Sequence, residues 1–218
     1  MIKKVLGCVA MLFVVLTSAA QEAETDTLKH DEGVSSEEKS TTFFAGNAKY
    51  GNTSQYYTNG KSDGDAGWAI GLEFCHIQGN GIGYGLDYHH SRATKDVVKR
   101  GLGLMDEMYE SYINLDYIGP KFIYSTPTTN MCAGRLDAGL GYSHYKVSSQ
   151  NSKAGFGYRL AVNLDVRATE RWGLYAGIEG IHSFYAKSSG NDLYKVGNKD
   201  ITSIFRISFS LGIILTLH

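Results

Sequence analysis

The stretch FRISFSLGIILTL, residues 205–217, decides the fold. Phe205, Ile207, Phe209, Leu211, Ile213, Leu215 and Leu217 share one face of an extended chain, and Arg206, Ser208, Ser210, Gly212 and Thr216 share the other. Only Ile214 is out of step. A helix, at about 3.6 residues per turn, would scatter both sets around its circumference. The same period runs through 154–168, where Phe156, Tyr158, Leu160, Val162, Leu164 and Val166 oppose Gly155, Gly157, Arg159, Ala161, Asn163, Asp165 and Arg167.

Applied outward from these two runs, the test predicts eight strands, at 43–50, 67–77, 82–91, 111–125, 131–146, 154–168, 172–185 and 202–217. The intervals between them alternate between long and short, the rhythm of an up-and-down meander with turns on one side and loops on the other. Gly79-Asn80-Gly81 supplies a tight turn that tolerates positive φ, and Thr126-Pro127-Thr128 a fixed bend. In 111–125 the apolar parity slips from Ile113, Leu115 and Tyr117 to Phe122 and Tyr124 across Gly119-Pro120, which predicts a β-bulge there.

Composition agrees with a β-rich domain: of 218 residues, 26 are Gly, 15 Tyr and only 2 Pro. A net charge of -1 supplies no basic field for nucleic acid, and a mean hydropathy of -0.21 leaves no room for several membrane helices. Residues 1–20 read as a secretory signal, with Lys3 and Lys4 before an apolar run from Val5 to Leu16 and Ser18-Ala19-Ala20 as the cleavage site. Residues 21–41 hold seven acids and two bases with almost nothing to bury, and are expected to be a disordered periplasmic spacer. The folded domain is 42–218.

Alternation alone does not say which face is outside, since a soluble lipocalin-like barrel has the same period with the apolar face inward. Three features choose the membrane form. The polar face is rich in Gly, which suits a crowded interior. It also carries charges of both signs, Glu73, Asp87, Asp116, Asp137, Asp165 and Glu179 against Lys121, Arg135, Arg159, Arg167 and Arg206, which can pair across a narrow lumen. The apolar face is rimmed by aromatics, Trp68, Tyr88, Tyr142, Phe156, Tyr158 and Phe184 on the loop side and Phe122, Tyr124 and Trp172 on the turn side. About 10 residues per strand, tilted by roughly 45°, span the roughly 25 Å apolar band of such barrels. The expected fold class is therefore all-β, an eight-stranded antiparallel up-and-down transmembrane β-barrel.

This combination of export signal, eight alternating strands, Gly-rich luminal face and loop–turn rhythm resembles the small outer-membrane barrels of the OmpA and OmpX type in Gram-negative bacteria. The resemblance covers 42–218 and implies residence in the cell outer membrane, contact with its lipid, and no catalytic, cofactor or metal site. Such chains usually end on an aromatic residue, whereas this one ends Leu217-His218. By parity Cys75 faces the lumen and Cys132 the lipid, so no disulfide is expected.

One constellation carries possible chemistry. Asp87, His89 and Ser91 follow one another on a single face, about 6.6 Å apart, in the order of a nucleophilic triad. The His-x-Ser pair is similar to that of outer-membrane lipid A deacylases, but parity turns it into the lumen rather than toward lipid. His90, His144 and His182 fall at loop-side strand ends. The expectation is a monomeric, non-enzymatic barrel acting as an envelope scaffold or through a protein or surface partner at loops 51–66, 92–110 and 186–201. A narrow solute channel and a lipid-modifying hydrolase are the competing functions.

Overall fold

The computed structural model describes residues 40–57, 62–99, 107–126, 131–147, 152–186 and 201–217. Residues 1–20 expected to be the signal, residues 21–39 of the acidic segment, Pro127 and the segments 100–106 and 187–200 lie outside the described residues. Eight strands, β1 (Thr41–Tyr57), β2 (Ser62–Ile77), β3 (Ile82–Lys99), β4 (Glu107–Ser125), β5 (Cys132–Val147), β6 (Lys153–Arg167), β7 (Trp172–Tyr185) and β8 (Ile201–Leu217), pair in chain order. All neighbours are antiparallel, and β8 closes on β1 to complete the barrel.

The barrel buries its polar face. In β8, Leu211 is 69% exposed and Ser210 only 4%. The band of Leu72, Leu86, Leu140, Leu160, Leu174 and Leu211 faces outward, as do all nine aromatics of the expected girdles. Closure removes both sheet edges, so every strand finds a partner on each side without water.

Three features depart from the sequence reading. First, no bulge forms in β4: its register to β3 runs unbroken from Ile82 opposite Tyr124 to Lys99 opposite Glu107. Pairing to β5 pauses at Gly119-Pro120 and resumes in the same register. Ile113, Leu115 and Tyr117 instead point into the lumen, each at most 4% exposed. The parity never slips; the loop-side layer of the lumen is itself apolar, and this reverses the local hydrophobic pattern.

Second, a bulge forms in β8. Tyr56 of β1 faces Ser203 while Tyr57 faces Ile201, leaving Thr202 as the extra residue, so Ile201 and Ile204 both turn inward. Third, much of the supposed loops 51–66 and 92–110 is strand. The β1–β2 and β3–β4 hairpins run on to Tyr57, Ser62, Lys99 and Glu107, because beyond the membrane a ladder persists when both faces are wet and alternation is no longer required.

On the short-turn side the chain reverses through Gln78–Ile82, where the Gly81 amide donates to the Gln78 carbonyl at 2.9 Å. Gly81 has φ of 81°, and a Cβ there would sit 2.2 Å from the Ser125 carbonyl oxygen. Gly81→Ala is expected to lower barrel stability by about 1–3 kcal/mol, whereas Gly79→Ala should change it by less than about 0.5 kcal/mol. Urea unfolding of the two variants in lipid vesicles checks the contrast.

Candidate functional site

The interior is layered. Toward the loops, Ala93, Ile113, Leu115, Tyr145, Tyr185, Ile201 and Ile204 form an apolar layer. Toward the turns, Phe43, Ala45, Cys75, Ile123, Tyr175 and Ile214 form another. Between them lies an ionic belt. Among the described residues the buried charges are Lys49, Lys121, Arg135, Arg159 and Arg206 against Glu73, Asp87, Asp137, Asp165 and Glu179, five of each sign.

Glu73 of β2 is the hub. Its carboxylate accepts from Lys121 Nζ (2.6 Å), Arg135 Nη1 (3.1 Å), Arg159 Nη2 (3.5 Å), Asn47 Nδ2 (3.2 Å) and the Tyr175 hydroxyl (2.9 Å). These donors come from β4, β5, β6, β1 and β7, so one carboxylate ties six strands. Arg135 also donates to Asp137 (3.0 Å) and Asp165 (2.9 Å). Its guanidinium lies 5.4 Å from the ring centres of both Phe43 and Tyr175, capping the turn-side layer.

A second centre forms at Glu179 of β7, which accepts from Lys49 Nζ (2.7 Å), Arg159 Nε (2.9 Å) and, weakly, Ser208 Oγ (3.5 Å). Arg159 links the two centres and also lies 2.8 Å from Asp87 Oδ2, at an angle that makes an ion pair but no hydrogen bond. Arg206 stands apart. It donates to Thr53 Oγ1 (2.7 Å) and the Gly67 carbonyl (2.9 Å), with no carboxylate in ion-pair range among the described residues.

The structure turns nine of the eleven charges expected in the lumen inward, joins all of those but Arg206 in the belt, and excludes two. Asp116 points outward, half-exposed, because the parity of the loop-side half of β4 is the reverse of that expected. Arg167 is exposed at the turn-side end of β6, beyond the last luminal layer. Lys49 is the luminal charge that sequence reasoning missed, together with the polar partners Asn47 and Tyr175. The signal was present in β1, where Phe43, Ala45, Asn47 and Lys49 alternate with Phe44, Gly46, Ala48 and Tyr50.

Asp87, His89 and Ser91 do share the luminal face, each at most 2% exposed, but among the described residues no hydrogen bond joins them. His89 Nδ1 lies 3.2 Å from Glu179 Oε1 and 3.2 Å from Lys49 Nζ. Ser91 Oγ donates to the Leu115 carbonyl at 3.2 Å. A triad needs the base oriented by its acid and within reach of the hydroxyl, and here each member is committed elsewhere. Cys75 is buried in the lumen, Cys132 is exposed, and both thiols are free.

On the outer face, His90 and His144 flank Asp116, with Nδ1 to carboxylate distances of 2.6 and 3.6 Å. His182 is separate, its Nδ1 3.1 Å from the Tyr158 hydroxyl and its ring against Phe184 and Phe205.

An apolar band outside, aromatics at both rims and a charge-paired interior define an eight-stranded transmembrane β-barrel of the outer-membrane kind. Neisserial surface protein A has a similar structure, with a TM-score of 0.56, 15% identity, 82% of this chain covered and 99% of that one. The outer-membrane protein OprG from Pseudomonas aeruginosa also matches, with a TM-score of 0.47, 15% identity and coverage of 82% and 96%. No protein-family model and no curated relative matches the chain.

Neutralising the hub tests the belt. Glu73→Gln keeps the shape but removes the carboxylate that Lys121, Arg135 and Arg159 share, leaving the belt one negative charge short, and is expected to cost about 3–5 kcal/mol in urea unfolding from vesicles. The double variant Glu73→Gln with Lys121→Gln should lose clearly less than the sum of the single losses. Additive losses, or a near-zero effect of Glu73→Gln, would instead indicate a hydrated lumen.

Proposed function

We propose that the protein is an integral outer-membrane barrel, exported by its N-terminal signal, that carries no catalytic site and is closed to solutes. In this reading it serves as an envelope scaffold or surface-interaction protein. The single observation that supports it best is the filled lumen: two apolar layers enclose a belt of ion-paired acids and bases. An eight-stranded barrel has an interior just wide enough for side chains, and these occupy it. A solute would have to break ion pairs around Glu73 and Glu179 as well as part the apolar layers.

Interaction then falls to the parts beyond the membrane, the ends of the β1–β2 and β3–β4 hairpins and the segment between β7 and β8. The hydrolase reading loses support because His89 and Ser91 are sealed inside and held by other partners. Purified protein in planar lipid bilayers is expected to show no discrete conductance steps. Steps that change on substituting Arg135 or Asp137 would overturn the scaffold reading in favour of a narrow channel.

A further inference from the structure

The outer face of β3–β5 carries a polar patch that the closed lumen does not explain. His90, Asp116 and His144 lie directly opposite one another across the three strands. Two residues further toward the loops, Arg92, Asn114 and Lys146 form a second row in the same register. Outward positions loopward of the girdle on other strands, such as Asn52, Ser54, Ala66, Ala154 and Ser203, are uncharged. Among the described residues the outward charge of the loop-side rim is therefore gathered on this sector.

The patch is preorganised. Asp116 holds His90 and His144 through their Nδ1 atoms, turning both Nε2 atoms away from the carboxylate. The Arg92 guanidinium carbon lies 4.1 Å over the centre of the Tyr112 ring, a cation–π contact that holds the charge at the rim. Arg92 and Lys146 are both exposed. Across three strands the patch spans about 10 Å, the scale of a phosphate headgroup and its immediate substituents.

Its depth identifies the occupant. The Trp68 indole, part of the loop-side girdle, sits 6.0 Å from the His90 ring. Girdle aromatics mark the headgroup level, so the cations stand where lipid phosphates lie. We propose that the β3–β5 rim binds the phosphate of a surrounding anionic membrane lipid, with Arg92 and Lys146 as the charged ligands and the Asn114 amide between them in the row. The site rests on the membrane reading above, but needs neither a closed lumen nor a protein partner.

The test uses Trp68 as reporter. The chain has two tryptophans, so Trp172→Phe leaves Trp68 alone. The full chain is refolded into phosphatidylcholine vesicles doped with either brominated phosphatidylcholine or brominated phosphatidic acid, and quenching of Trp68 gives the relative affinity for each. Both lipids are expected to quench, which reports insertion, with phosphatidic acid clearly preferred. Arg92→Gln and Lys146→Gln should each reduce that preference about fivefold while leaving the zwitterionic quenching unchanged. Equal quenching by the two lipids, or a preference untouched by both substitutions, overturns the site. No quenching by either lipid overturns membrane insertion itself. Retention of the faster-migrating folded gel band shows that the variants remain assembled.

Discussion

Everything in this barrel is arranged around the burial of Glu73. An ionised carboxylate removed from water carries a penalty of several kcal/mol unless good geometry and neighbouring donors offset it. Here five donors converge on it from five other strands, two of them arginines and one a lysine. Because those donors are themselves charged, further acids must follow. Asp137 and Asp165 answer Arg135, and Glu179 and Asp87 answer Arg159. The belt of Lys49, Lys121, Arg135 and Arg159 with its five acids is thus a consequence of electrostatics in a confined space, and Arg206 lies outside it on Thr53 and the Gly67 carbonyl.

The rest of the wall serves that belt. The luminal glycines leave room for long side chains to cross: a Cβ on Gly71 would meet the Asn47 amide, and one on Gly212 the Tyr175 ring. Both neighbours donate to Glu73. Apolar layers above and below keep water from competing for the ion pairs, and Arg135 bridges belt and turn-side layer by lying against Phe43 and Tyr175. Outside, the aliphatic band and aromatic rims fix the position of the wall in the bilayer.

The fold was legible because strand parity is a local property, carried by stretches such as 205–217 on their own. The candidate site was legible only in part. Inward charges on β2, β5, β6 and β7 declared themselves by sharing a face with glycines. The failure at Asp116 has one cause, the assumption that the lumen is polar along its whole length. Ile113, Leu115 and Tyr117 belong to an apolar inner layer, so reading them as lipid-facing turned Asp116 inward and required a bulge that is absent. Lys49 was overlooked although its parity is clear, because its partners Glu179 and His89 lie two strands away on either side, far from it in sequence. The Asp87-His89-Ser91 order misled for the same reason: spacing along one strand says nothing of the acid that reaches His89 from β7.

A dry, ion-paired interior is the claim on which the functional reading stands, and Cys75 reports on it directly. This thiol sits in the turn-side layer, within 3.7 Å of Arg135 Nη1 and fully buried. With Cys8 and Cys132 replaced by Ser, Cys75 is the only thiol left in the chain. The decisive measurement is the rate at which a small, charged methanethiosulfonate reagent modifies it in the folded barrel in vesicles. The closed-lumen account predicts no modification until the barrel is unfolded; modification of the folded barrel at a rate close to that of the unfolded chain would contradict it.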